Sequence, residues 1–465
     1  MNYHGYFAAG SKPVEVCVVG TGAFGQSLMS QARRVPLMSV RVAVDITAER
    51  AAEAWRTVGA PARDIALCST SAEAKAAFAN GQLIACGDIA CTLDLPVDVV
   101  VEGTGHPESG ARHARLAVES GRHLVMASKE VDIVIGPYLS AAARQAGRVV
   151  TPVDGDQPSL LIGQTTWAET LGFTIVAAGK SSEYDYVYDP VAETVTTSGR
   201  TVAAGGLNAD WDLGTRSLGD VLASRARTLA AIPPRTVPDL CEMLIAANAL
   251  DLTPDRPDFH APILRVSEVP SAFDVAANGG LLSGERRIDV FNCLRRPDEL
   301  SFAGGVFVVV RCEDAAVWRM LAEKGHVLSR DGRAAMLYLP RHVLGLEAAT
   351  SILAAGLHGV STGAETPLPR YDLAARADAD LPAGTVLTAE GHHHSIKNVS
   401  GWAVPASRLH TGAPIPFYLA ANHKLTRPVA KGELIRFGDV EIPEASELLS
   451  MRRKQDAHFG VPARH

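Results

Sequence analysis

The seven cysteines of this 465-residue chain (Cys17, Cys68, Cys86, Cys91, Cys241, Cys293, Cys312) include no CxxC pair. Neither a zinc cage nor a disulfide framework is indicated, and the thiols read as small core fillers. No block of five or six like charges occurs, and 44 Lys+Arg against 51 Asp+Glu leave a formal net charge of -7. That balance lacks the basic footprint of a nucleic-acid binder. The longest apolar runs, Val97 to Val101 and Gly304 to Val310, are strand-length and far short of the ~20 residues a bilayer demands, so no membrane association is expected. Met1 to Pro13 has neither a basic n-region ahead of an apolar core nor a small-residue cleavage site, and a soluble cytoplasmic protein is expected. Aromatics make up only 6%, and Trp55, Trp167, Trp211, Trp318 and Trp402 are too scattered for a base-stacking platform; they read as packing residues. What is present is 47% hydrophobic and 20% charged sequence, about three times the ~150 residues of a typical domain, so two or three domains with ample core are expected.

From Val14 to Val153 short Val/Ile/Leu runs alternate with amphipathic stretches. Strands are predicted at Val14 to Val19, Val40 to Asp45, Val97 to Glu102, Leu124 to Ala127 and Arg148 to Val153. Helices are predicted at Ala23 to Arg33, Ala48 to Trp55, Glu108 to Ser120 and Pro137 to Ala146. Continuous apolar strands are buried on both faces, which implies a doubly wound parallel sheet of Rossmann type over residues 1–155. Residues 156–365 read as an α+β catalytic and oligomerisation domain whose last helices pack back on the first. It carries helices at Ser159 to Leu171, Leu240 to Ala249, Ala315 to Lys324 and Leu344 to Ala355, strands at Phe173 to Ala178 and Gly305 to Arg311, and an irregular polar stretch to about Asp220. After a Pro/Gly/Thr-rich linker near Thr362 to Arg370, residues 366–465 contain two similar phrases, "LPAGTVLTAEG" from Leu381 and "VAKGELIRFGDV" from Val429. Each reads as strand, glycine turn and strand, which suggests a small pseudo-symmetric all-β domain.

The phrase "VEVCVVGTGAFG" sets Gly20, Gly22 and Gly25 in G-x-G-x-x-G spacing between a strand and a helix, with Ala23 and Phe24 inside the turn. The first glycine permits the tight turn, the second lets backbone approach a pyrophosphate, and the third lets helix and strand pack closely. Asp45 ends the next strand, twenty residues on, where a carboxylate binds ribose hydroxyls and repels a 2′-phosphate. NAD is therefore the expected cofactor and NADP the alternative, since Arg41 and Arg50 lie near Asp45 and weaken the exclusion.

"VDVVVEGTGHPESGARHARLAVESGRHLVMASKE", residues 97–130, resembles the corresponding segment of homoserine dehydrogenases. The resemblance implies a catalytic role for Lys129 beside the nicotinamide, it puts Glu102 and Gly105 near the nicotinamide ribose, and Gly103, Thr104 and Ser128 are further cofactor-binding candidates. "DGDQP" (Asp154 to Pro158), "CEMLIAANA" (Cys241 to Ala249), "LPRHVLGLEAATSI" from Leu339 and the closing β domain are similar to homoserine-dehydrogenase-like proteins with a C-terminal SAF (β-clip) domain. That group includes the second type of deoxyxylulose-phosphate reductoisomerase, and the likeness extends over nearly the whole chain. Gln157 stands where that reductoisomerase is expected to carry a carboxylate, and no basic residue follows Lys180 in "SSEYDYVYDP" to clamp a phosphate.

Lys129, at a strand's carboxyl end, is the main candidate to polarise a carbonyl or move a hydroxyl proton; Lys180, at another strand end, is the second. Asp154 and Asp156 are candidates for substrate hydroxyls or a divalent cation, or else caps of the helix beginning near Pro158. Glu242 and Asn248 are substrate-pocket candidates by resemblance. The run His392, His393, His394 is read as a loop rather than a metal site, since consecutive side chains diverge. The metal requirement stays open. The expected function is NAD(P)-dependent oxidoreduction or oxidoisomerisation of a small polyhydroxylated carbonyl compound or sugar acid by a homodimer or larger homo-oligomer. The alternatives are an NADPH-dependent deoxyxylulose-phosphate reductoisomerase and an NAD-gated regulatory protein without turnover.

Overall fold

The computed structural model describes residues 2–8, 12–391 and 394–464. The chain divides into two compact units: Met1–Ser159 with Val343–Val399 and Ala406–His465, and Leu160–His342 with Ser400–Pro405.

In the first unit, helix α1 (Tyr3–Phe7) precedes seven strands: β1 (Val14–Val19), β2 (Met38–Val44), β3 (Ile65–Cys68), β4 (Leu83–Cys86), β5 (Val99–Glu102), β6 (His123–Met126) and β7 (Val150–Pro152). They form one parallel sheet in the order β3-β4-β2-β1-β5-β6-β7. The connecting helices are α2 (Ala23–Ala32), α3 (Ala48–Thr57), α4 (Ser71–Ala79), α5 (Pro107–Glu119) and α6 (Lys129–Gln145). This is the doubly wound Rossmann arrangement expected, and its direction of winding reverses between β1 and β5, the place where such sheets open a crevice for ligands. Local chemistry starts three of these helices: Thr47 accepts from the Arg50 N–H ahead of α3, Thr70 and Glu73 make a capping box on α4, and Pro107 opens α5 behind His106. The β3-α4-β4 segment, residues 65–86, went unread in the sequence because its apolar runs are only four residues long.

Two predicted helices are corrected. The helix read from Pro137 starts at Lys129, so Pro137 lies inside α6. A proline at an apparent helix start reads naturally as the first helical residue. Here its disruption is absorbed by Gln455, whose amide donates to Val134 O (2.9 Å) and accepts from Tyr138 N (3.2 Å). The helix read across Leu344 to Ala355 is broken into a 3₁₀ turn (Leu344–Leu346), an α-turn, and a π-turn (Ala354–His358) closed by Gly359 at φ 62°. Close approach accounts for Gly345 in the 3₁₀ turn, where a Cβ would stand 3.0 Å from Phe24 O of α2.

Helix α7 (Gln157–Thr170) leads to β8 (Thr174–Ser181). The polar stretch expected to be irregular instead forms β9 (Tyr186–Asp189), β10 (Thr194–Thr197) and β11 (Arg200–Ala203), an antiparallel run closed by tight turns. Helices α8 (Leu218–Thr228) and α9 (Val237–Leu250) follow, then two short strands, β12 (Thr253–Pro254) and β13 (Ile263–Leu264), and the longer β14 (Arg287–Arg295), β15 (Val306–Arg311) and β16 (Ala334–Leu339). The second unit's mixed sheet runs β11-β10-β9-β14-β8-β15-β16 over a core that includes Phe273, Phe291, Phe302 and Phe307. Trp167 does not pack as expected; it is 53% exposed.

The C-terminal part of the first unit contains β17 (Tyr371–Ala377) and short antiparallel pieces. The two echoing phrases face each other, with Leu381 and Val429 exchanging backbone hydrogen bonds at 2.9 Å. Gly384 and Gly432 occupy left-handed turns at φ 84° and 89°. The last helix, Glu447–His458, packs along α5 and α6. No helix among the described residues is long and apolar enough to cross a membrane.

Candidate functional site

At the carboxyl edge of the parallel sheet, the glycine turn behaves as its spacing predicts. Gly20 has φ 91°, and a Cβ there would stand 2.7 Å from Gly103 O, so the β1 and β5 turns touch backbone to backbone. A Cβ on Gly25 would meet Gly20 O. Gly22, by contrast, has nothing within 4 Å of its Cβ position, and Gly22 and Ala23 are exposed at the start of α2. An open space faced by the free N–H groups of a helix start fits a pyrophosphate. Phe24 turns its ring toward Gly103, where a Cβ would be 2.8 Å away.

Asp45 follows β2 on the same edge. Its Oδ2 accepts from Thr21 N (2.8 Å) and from the Thr21 hydroxyl, Oδ1 accepts from Ile46 N (2.7 Å), and Arg50 lies 3.7 Å away. Burial acts against ionisation, but these donors and Arg50 outweigh it and hold the carboxyl below its ordinary range. Thr21, an unassigned position within the glycine motif, is thus the residue that ties Asp45 to the turn.

Glu102, at the end of β5, is fully buried. Its Oε1 accepts from the Thr104 hydroxyl (2.6 Å) and lies 3.3 Å from His113 Nδ1, while Oε2 has no hydrogen-bond partner among the described residues. Gly105 N donates to Ser128 Oγ (2.8 Å), joining the turn after β5 to the residue that precedes α6. Lys129 is the first residue of α6 and is half-buried. Next to it in α6 stand two acids that sequence reasoning passed over, the buried Glu130 and the half-buried Asp132. Burial pushes Glu130 up to about 8, against the opposing charge of Lys129, and Asp132 up to about 7, with Asp156 adding to the effect. Asp154 is raised to about 6 by burial, although Ser159 and Thr362 donate to it. Asp156 Oδ1 accepts from Gln157 N (3.0 Å) at the start of α7. Among the described residues no group of three or more His, Cys, Asp or Glu side chains is placed to hold a metal ion.

These raised acids make a prediction about pH. A carboxyl whose folded value lies above its unfolded value holds its proton longer in the folded state. Stability therefore falls as pH rises through the interval between the two values, for Glu130 from 4.5 to about 8. Glu130→Gln should flatten the decline of melting temperature across that interval. An unchanged slope in thermal melts would mean that Glu130 is ionised in the folded protein.

In the second unit, Lys180 at the end of β8 is 1% exposed; its Nζ lies 2.9 Å from Asp239 Oδ1 and also pairs with Glu242 Oε2, both from α9. Asp239 additionally accepts from Ser182 Oγ (3.2 Å) and Thr236 Oγ1 (2.5 Å). Asp239 was not singled out in the sequence. The readable signal was its three-residue offset from Glu242, which puts both on one helix face. Asn248 is buried further along α9.

Residues 237–348 match the family described as the catalytic domain of oxidoreductase DRL. No curated protein matches the chain. Among solved structures, the chain is similar to DOX-P reductoisomerase in complex with NADPH, fosmidomycin and magnesium (15% identity, TM-score 0.31, 52% of this chain and 59% of that one). It is also similar to levoglucosan dehydrogenase in complex with NADH and L-sorbose (19%, 0.26, 47% and 54%). A third similar structure is a 3-ketoreductase from Actinomadura kijaniata in complex with TDP-benzene and NADP (15%, 0.32, 75% and 91%). The chain thus spans 59% and 54% of the lengths of the first two.

Proposed function

We propose that the protein is an NAD(P)-dependent oxidoreductase acting on a small polyhydroxylated carbonyl compound or sugar acid. The observation that carries this reading is the open cradle at Gly22, bounded by glycines where a side chain would collide and flanked by the ionised Asp45. The α2 N-terminus would hold the pyrophosphate, Asp45 the adenosine ribose, and the turns at Gly103–Gly105 and Ser128 the other half of the dinucleotide. The bound nicotinamide would supply a hydride donor or acceptor. Lys129, on the same edge, would bind the substrate oxygen and stabilise negative charge there as the carbonyl is reduced, or take the hydroxyl proton in the reverse direction. The match of residues 237–348 to an oxidoreductase catalytic domain supports the same class of chemistry.

The sequence resemblance carried by "DGDQP" and "CEMLIAANA" favours a second reading, a reductoisomerase in which hydride transfer accompanies rearrangement of the carbon skeleton of deoxyxylulose phosphate. Against it stands the absence of a basic residue in the ten positions after Lys180.

Fluorescence titration with both cofactors tests the site. NAD should bind more tightly than NADP, by about tenfold or more, because Asp45 meets the extra phosphate with like charge; Asp45→Ser should remove most of that difference. A wild type that prefers NADP would remove the reason for the NAD assignment. Following nicotinamide absorbance with a panel of sugar acids beside deoxyxylulose phosphate separates the two substrates. Best turnover of the phosphate with NADPH would select the second reading, and silence with every substrate despite cofactor binding would select a regulatory protein without turnover.

A further inference from the structure

Of the three consecutive histidines, His392 and His393 lie outside the described residues, but His394 is placed against the nucleotide crevice of its own unit. Two short strands, Ala389–Glu390 and Ser395–Ile396, pair antiparallel, and His394 sits at the turn between them in the left-handed region at φ 46°. Non-glycine residues seldom adopt that conformation unless their surroundings impose it. The imidazole lies against the turn that follows β5: a Cβ on Gly105 would stand 2.7 Å from His394 Nε2. Gly105, itself at φ 67°, is the residue whose N–H reaches Ser128 beside Lys129.

The hairpin is braced within its own segment. Asn422 Oδ1 accepts from Ala389 N (3.0 Å), and Asn422 N donates to Leu387 O (2.8 Å). Further along, Glu108 in the first turn of α5 accepts from Ser446 Oγ (2.9 Å), and Arg115 pairs with Glu447 at 2.7 Å. Asn422 thus braces the strand leading into the hairpin, and the C-terminal segment is anchored on α5.

We propose that His394 is a cofactor-contacting residue supplied by the C-terminal segment, its imidazole hydrogen-bonding the ribose of the nicotinamide half. The proposal rests on the dinucleotide reading of the glycine turn. In a doubly wound sheet the second mononucleotide lies over the strands beyond the switch point, here β5 to β7, away from Asp45. A ribose hydroxyl both donates and accepts, so it suits either imidazole tautomer.

The test is equilibrium titration of the full chain with NADH, and with ADP, which lacks the second nucleoside. His394→Ala should weaken NADH binding by about tenfold, the scale of one lost hydrogen bond, with ADP affinity unchanged and His394→Gln retaining most of the NADH affinity. Equal NADH affinity in His394→Ala and wild type would overturn this proposal alone. Parallel weakening of NADH and ADP would overturn it too, by making the effect one of folding. A wild type that binds neither would overturn the dinucleotide reading as well.

Discussion

Lys129→Ala should lower turnover by about 10²-fold or more while leaving cofactor affinity and melting temperature nearly unchanged, the size of effect expected when an acid–base or charge-stabilising group is lost. The residue opens α6 directly after β6, and Ser128 beside it accepts from Gly105. The start of α6 is thus tied to the turn after β5, on the edge that carries Gly20 to Gly25. A half-buried lysine at a helix start contributes little packing, so a purely structural role would surface in the melting temperature instead. Turnover, cofactor titration and melting measured on one preparation separate these cases. A folded Lys129→Ala enzyme with undiminished turnover would remove Lys129 from the chemistry.

Lys180→Met should destabilise the second unit by about 3–5 kcal/mol, because Asp239 and Glu242 would keep their burial and lose the charge that offsets it. Charges taken out of water are tolerated here only as a set. The combined variant Lys180→Met, Asp239→Asn, Glu242→Gln should therefore recover much of the loss, since neutral groups of the same shape carry a far smaller desolvation penalty. Urea denaturation of the three proteins reads this directly. A single variant as stable as wild type would show that the cluster makes no net contribution, and a combined variant no better than the single one would place the cost in packing.

These two lysines illustrate how unevenly a site can be read from sequence. Both stand at strand ends and looked alike as candidates, yet one is half-buried at the start of α6 and the other is sealed between two carboxylates. The distinction depends on α9, whose Asp239 and Glu242 lie 59 and 62 positions after Lys180 in the chain. No local pattern around Lys180 announces them.

By itself the sequence determined the doubly wound sheet, the glycine turn and the carboxylate twenty residues beyond it. Those features follow from local rules: apolar runs of strand length, small residues where backbones must touch, and capping residues at helix starts, all readable over a few neighbouring positions. Only the tertiary structure decided that α6 runs through Pro137, because the rescue comes from Gln455 more than 300 residues later. It also decided that Thr21 anchors Asp45, that Glu130 lies buried next to Lys129, and that His394 reaches Gly105. Burial and charge at a side chain are set by whichever distant segments close over it, and that closure is a property of the packed chain rather than of any stretch of its sequence.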